Sequence, residues 1–426
     1  MPTDDYHDKS EDVRSQEPSS TGTSVAEYVF PEGGTKAWLV VAGCFCVQLF
    51  TFGYVNAFGV YQAYYAQTFL RDKTASDIAW IGSIQFFFQF SAGSLSGPVT
   101  DRYGPRVTIC SSSALYVASL MLTSLCKEYY QYLLCQGILA GITNGLVYTP
   151  AVSIIGQYFH RRRALAMGIA STGSSLGGVI FPVMLIRMLF HTSIGFGWSV
   201  RVVGFLVLGL VLVAALTVIP RIAPRHGPLI LYRAFEDPAY SFQVAGLSFV
   251  FLGLMTPMFY LPSYSRQHGM SQDLSFYTLA ILNATSLFGR LLSGYFAQGL
   301  GRFNLVIFSS AVAAILCFCL MRINTSAAII VFAALYGLPS GSIVAMLPTV
   351  VALVTPEPNQ IGTYIGMALG VASIAGLVGT PITGALISHY GGYDQALIFS
   401  GVVMIFGASL ILRARFSFAK PGEIFV

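Results

Sequence analysis

Arg290 is the side chain with the most chemistry to offer. It stands in an apolar stretch over residues 274–298, eight positions before Gln298, or about 12 Å along a helix that rises 1.5 Å per residue. In a bilayer that depth is near the middle of a ~30 Å hydrocarbon layer. A cation there is costly unless it faces the protein interior, so it marks a solute path and favours an anionic group. Other reactive residues form no constellation. None of the 18 Asp and Glu and none of the six His falls deep in an apolar stretch. His160, His191 and His389 have no paired spacing, which disfavours a membrane enzyme built on a nucleophile or an acid–base pair. The sequence has no G-x-x-x-x-G-K-[ST] phosphate loop, so ATP-driven transport is disfavoured. Cys44/Cys46 and Cys317/Cys319 look like ligand pairs, but positions i and i+2 of a helix point about 200° apart and cannot chelate one ion. The seven cysteines are read as reduced core residues, and neither a metal nor a cofactor is expected.

The elements that must position Arg290 follow from composition. Of 426 residues 55% are hydrophobic and 10% charged, with mean hydropathy +0.68, which excludes an ordinary soluble enzyme. Crossing hydrocarbon takes about 20 apolar residues, because only a helix or closed barrel satisfies its own backbone there. Twelve stretches qualify: 37–60, 78–99, 107–126, 132–156, 164–189, 199–219, 240–261, 274–298, 304–321, 327–354, 361–387 and 394–412. Residues 1–36 hold eight acidic and three basic residues and read as a disordered cytosolic tail rather than a signal peptide. With that tail inside, 15 Lys and Arg fall on its side and five on the other, so both termini are expected in the cytosol, by default at the plasma membrane. This basic surplus needs no nucleic acid partner. The connector 220–239, with Pro220, Pro224, Pro228 and Pro238, separates six spans from six. The expected organisation is an all-α integral membrane protein: a first six-helix bundle over 37–219, a cytosolic linker over 220–239, a second bundle over 240–412 and a cytosolic tail over 413–426.

Between the second and third spans runs Gly97-Pro98-Val99-Thr100-Asp101-Arg102-Tyr103-Gly104-Pro105-Arg106, and Ser293-Gly294, Gln298 and Gly301 echo it between the eighth and ninth. The glycine lets neighbouring helices touch, the aspartate offers a carboxylate to a helix N-terminus or an arginine, and the arginines suit a cytosolic interface. This turn resembles the G-x-x-x-D-R-x-G-x-R hallmark of the major facilitator superfamily, whose six-plus-six architecture the span order matches. The resemblance implies that Gly97, Asp101, Arg102, Gly104 and Arg106 form a cytosolic gate. Glu32-Gly33-Gly34 ahead of Trp38 resembles the lead-in to the first span of the monocarboxylate porters, especially fungal ones. Tyr158-Phe159-His160-Arg161-Arg162-Arg163-Ala164-Leu165-Ala166-Met167-Gly168 resembles their fifth-span signature. Without that resemblance, Arg161 to Arg163 read as a solvated turn near lipid headgroups.

In that family the arginine matching Arg290 is thought to hold a substrate carboxylate. An acidic partner one turn earlier is replaced here by Ser286, a first-span lysine by Asn56, and the arginine of a fourth-span R-x-x-Q-G motif by Leu133. Ion coupling is therefore left open. Asn56, Asn144, Tyr148, Tyr260, Asn283 and Tyr336 are the polar residues within spans that usually border a central cavity, and aromatic faces with amides suit a partly flat organic solute. Glycines at every fourth position, such as Gly93/Gly97 and Gly362/Gly366/Gly370, give strips on which helices approach closely. The expected function is secondary transport of a small organic, carboxylate-bearing solute by alternating access, by a monomer in the lipid bilayer. Efflux of a fungal secondary metabolite is the alternative, and a nutrient sensor or membrane enzyme represents a different class.

Overall fold

A computed structural model describes residues 30–221, 231–357 and 360–419, apart from the side chains of Ala75, Ser76, Pro98 and Asp101. Most of the tail, the centre of the 220–239 connector and the end of the chain lie outside the described residues. Among the described residues twelve long helices run from face to face: α1 Thr35–Gln67, α2 Ala75–Tyr103, α3 Pro105–Thr123, α4 Tyr129–Tyr158, α5 Arg163–Phe190, α6 Phe196–Thr217, α7 Pro238–Gln267, α8 Gln272–Leu300, α9 Arg302–Leu320, α10 Ser326–Val354, α11 Ile361–Tyr390 and α12 Asp394–Phe418. A short 3-10 turn, Tyr232–Glu236, leads into α7. No strand occurs among the described residues. Ten of the helices are long and apolar enough to cross a membrane, whereas α2 and α8 reach the length but are more polar. Each buries a polar side in protein: α2 packs on α11 and α5 on α8, and these are the main seams between the first six helices and the last six.

Local chemistry sets the helix ends. Thr74 and Asp77 form a reciprocal capping box at the start of α2, and Asp237, Ser271 and Thr325 cap α7, α8 and α10 with their side chains. The turn from α2 to α3 passes through Gly104 at φ 86°, ψ 149°, and the turn from α8 to α9 through Gly301 at φ 84°, ψ 140°. This is a left-handed-side conformation that L side chains avoid, so the repeat legible in sequence is a repeat of backbone shape. The first span is longer than expected. It is interrupted at Thr51 and Asn56–Ala57 yet runs on to Gln67, because Tyr54, Tyr61 and Tyr65 carry it into a buried aromatic cluster with Tyr132 and Phe196. In α4 a π-helical turn, Leu133–Leu139, precedes Asn144.

The helix ends form two faces. The turn face carries Gly104, Gly301, residues 159–162 and the start of α1; the mouth face carries the connectors at 68–74, 191–195 and 268–271. At the turn face the seam between α2 and α11 is backbone against backbone. A Cβ on Gly97 would lie 2.5 Å from the Gly362 carbonyl oxygen, and one on Gly366 would lie 2.5 Å from that of Gly93. Toward the mouth face the same helices separate.

Candidate functional site

A cavity of about 280 Å³ opens between the halves toward the mouth face. Phe52, Phe86, Met255, Phe259 and Phe276 make its walls apolar, with Asn56 and Gln62 from α1 as polar points. Arg290 lies in its floor, 3% exposed. Its Nη1 donates to the Ser171 carbonyl at 2.7 Å and to the Ser174 hydroxyl, both on α5, and its Nε has no partner. Among the described residues no Asp or Glu lines this cavity, while Arg266 joins it near the mouth. A buried cation held only by neutral oxygens is incompletely compensated, and a hydrogen-bonding anion would complete it.

The other expected binding residues divide by location. Asn56 is on the cavity wall. Tyr148 packs on Phe52 at 5.4 Å between ring centres and is an electrostatic neighbour of Arg290. Tyr260 lines a second cleft and donates to the Thr380 carbonyl at 3.0 Å. Three lie in helix packing instead. Asn144 donates to the Thr51 carbonyl at the break in α1, Asn283 to the Leu279 carbonyl, and Tyr336 to the Leu254 carbonyl. Sequence reasoning missed Arg266, Gln62, Phe86 and Phe259 on the wall. Arg266 carried a signal, as one of few cations on its face, but depth along one helix does not say which side chain turns inward.

The closed turn face is fastened by contacts that cross the halves. Arg163, almost fully buried, donates through Nη1 to the Ala352 carbonyl at 3.0 Å, within the last turn of α10, where a cation suits the helix dipole. Gln298 on α8 donates to the Arg161 carbonyl at 2.6 Å. Of the expected gate, Gly97 makes the close approach to Gly362 and Gly104 the turn, Arg102 lies over the Tyr103 ring, Arg106 is exposed, and the Asp101 side chain lies outside the described residues.

Residues 30–34, counted with the tail by composition, are docked. The Glu32 carboxylate accepts from the backbone N–H groups of His160 (2.8 Å), Arg161 (2.6 Å) and Arg162 (3.1 Å), while Phe30 packs on His160 and Trp38 on Phe159. These are the free N–H groups ahead of α5, where a carboxylate is favoured. Partial burial opposes the Glu32 charge, but the three N–H groups outweigh it and hold the carboxyl below its ordinary value. Burial, with the Arg163 and Arg302 charges, pushes the His160 imidazole down as well. The two motifs read separately in sequence, 32–34 and 158–168, are thus one clasp.

The sequence profile described as Major Facilitator Superfamily matches residues 40–329. "Aspyridones efflux protein apdF" of Emericella nidulans is 48% identical over 395 residues, covering 92% of this chain and 81% of that one. "Agnestins efflux protein AgnL12" of Paecilomyces divaricatus is 40% identical, covering 89% of this chain and 87% of that one. Among solved structures, the human organic anion transporter MFSD10 superposes with a TM-score of 0.71 at 14% identity, covering 89% of this chain and all of that one, a likeness of fold. These two fungal relatives are named for efflux rather than for monocarboxylate uptake.

Proposed function

The chain belongs to the Major Facilitator Superfamily, and on that premise we propose that it exports an anionic secondary metabolite by alternating access, with Arg290 receiving the acidic group. As a member it is a transporter of small organic solutes, held in the membrane by many helices. The observation that carries the anionic reading is the partner set of Arg290: neutral oxygens on α5, an unsatisfied Nε, and no carboxylate on the described cavity wall. Asn56 and Tyr148 shape the pocket around the head group. Asn144, Asn283 and Tyr336 support it through helix packing, and Tyr260 acts at its edge. The efflux direction is supported by the names of the two fungal relatives.

The bias of 15 to five basic residues supports a cytosolic turn face, with both termini inside and the plasma membrane as host. In that orientation the cavity opens outward, as after release of an exported solute. Units 37–219 and 240–412 rock about Arg290, and Gly97, Asp101, Arg102, Gly104 and Arg106 edge the face that must open to load. The motifs at 32–34 and 158–168 support a place beside the monocarboxylate porters; Ser286 and Asn56, where those carry charged residues, leave the ion coupling open. The test is efflux of a labelled aromatic carboxylic acid from preloaded vesicles holding the purified protein. Arg290→Ala should lower the rate about tenfold or more, as loss of a charged hydrogen bond implies, and Arg290→Lys should retain part of it. Unchanged efflux by correctly folded Arg290→Ala protein would overturn the assignment.

A further inference from the structure

Beside the central cavity, a second chamber of about 470 Å³ lies between the mouth-side halves of α2 and α11. Ala79, Trp80 and Ser83 form one wall, Thr380, Gly384 and Ala385 the other, and Tyr260 closes it toward α7. The chambers share two lining residues, Gln62 and Ser263, so they are neighbours on either side of an amide and a hydroxyl. The central chamber alone falls just short of the ~300–1,000 Å³ such sites span, and the side chamber adds to it.

The space is built by particular residues. At the turn face, glycines hold α2 and α11 in contact at Gly93/Gly366 and Gly97/Gly362. Farther along, Phe86 fills the seam beside Gly376, and beyond it most of the facing residues, such as Ala79, Ser83, Gly384 and Ala385, are small. Tyr260 reaches across from α7 and bonds to the Thr380 carbonyl. A Cβ on Gly384 would lie 2.8 Å from its hydroxyl oxygen, so Gly384 leaves room for that reach. Trp80, 43% exposed, gives the chamber a flat face, and Ser83, Ser263 and Ser388 add hydroxyl groups.

We propose that this chamber is a side subsite that takes the planar, conjugated arm of the solute while its acidic head lies on Arg290. This rests on the anionic reading above and deepens it. The favoured cargo is an elongated aromatic acid, two rings or more, with hydroxyl or carbonyl groups along the arm. Stacking on Trp80 and Tyr260 holds such a body by its faces, and a compact acid fills only the central chamber.

Trp80 is its own reporter, since the chain has three tryptophans and Trp38→Phe with Trp198→Phe leaves it alone. The experiment measures binding of benzoate and of 4-biphenylcarboxylate to this protein in nanodiscs, by radioligand and by Trp80 fluorescence. Ala385 is exposed, so Ala385→Phe narrows the side chamber without disturbing a core. The expected result is that 4-biphenylcarboxylate quenches Trp80 and loses affinity about tenfold in Ala385→Phe, as occlusion of an aromatic subsite implies, while benzoate binds both proteins equally and leaves Trp80 bright. Equal affinity of 4-biphenylcarboxylate for both proteins would overturn the side subsite and leave the Arg290 reading standing. Binding of both acids undiminished in Arg290→Ala would overturn both.

Discussion

The seam between α2 and α11 has two halves that differ in kind. Near the turn face, Gly93, Gly97, Gly362 and Gly366 bring the backbones into direct contact, so closure is a matter of shape. Near the mouth face, Ala79, Trp80 and Ser83 look across a chamber at Thr380, Gly384 and Ala385. The seam between α5 and α8 differs, because it stays packed farther toward the mouth, where Gly178 lies against Asn283 and the Ser175 and Ser286 hydroxyls bond. At its turn-face end Gly168 lies against the Arg290 carbonyl and Gly294 against that of Ala164, and single polar bonds across the halves, Gln298 to Arg161 and, from α5 to α10, Arg163 to Ala352, add to the fit. A face closed by glycine contacts and a few hydrogen bonds, each worth about 1 kcal/mol net, can part at modest cost. A carrier needs a closed face of that kind.

The contrast can be tested at the turn face. The largest effect is expected from Gly97→Val, whose side chain has no room against Gly362; overpacking of this kind costs about 1–3 kcal/mol. A cysteine placed at the turn-side end of the cavity should then label readily from that side, with transport lost. If labelling does not change, the glycine contact is not what closes the face. Arg163→Met should follow, because it strips a charged donor from the Ala352 carbonyl, about 1.5–3 kcal/mol. The ratio of closed to open forms, read by double electron–electron resonance between spin labels on the two halves, should fall about tenfold or more.

Glu32→Gln keeps the shape of the clasp and removes its charge, at a cost of about 0.5–2 kcal/mol by analogy with other helix caps. Acid should act in the same direction. Both Glu32 and His160 are held below their ordinary values, near 4.3 and 6.5. Their stabilisation is therefore present above those values and is lost as pH falls through the lowered ones, first at His160 and then at Glu32. Melting temperature should decline from about pH 6.5 downward, and Glu32→Gln should flatten the lower part of that decline; parallel curves would remove Glu32 from the clasp. The smallest effect is expected from Gln298→Ala. One partly solvated bond is lost there, about 0.5–1.5 kcal/mol, and transport should continue with a slightly more open turn face.

Much of this protein was legible along the chain because the bilayer makes local demands. A segment in hydrocarbon must be an apolar helix long enough to cross, which gave the order and rough limits of the spans. The turn glycines were legible as a repeat because Gly104 and Gly301 take nearly the same backbone angles. The depth of Arg290 followed from counting residues. Lateral placement could not be counted in this way. Asn144, Asn283 and Tyr336 have depth and polarity similar to Asn56, yet they face neighbouring helices while Asn56 faces the cavity.

The sequence by itself determined what each helix is and how deep its charged residue stands, since hydrocarbon acts on one segment at a time. The tertiary structure alone decided that Arg290 meets Ser171 and Ser174 more than a hundred residues earlier in the chain, that Glu32 reaches residues 160–162, and which face is open. Those facts depend on how helices rotate and tilt against one another, and that is fixed by close contacts between distant segments rather than by any one segment's composition.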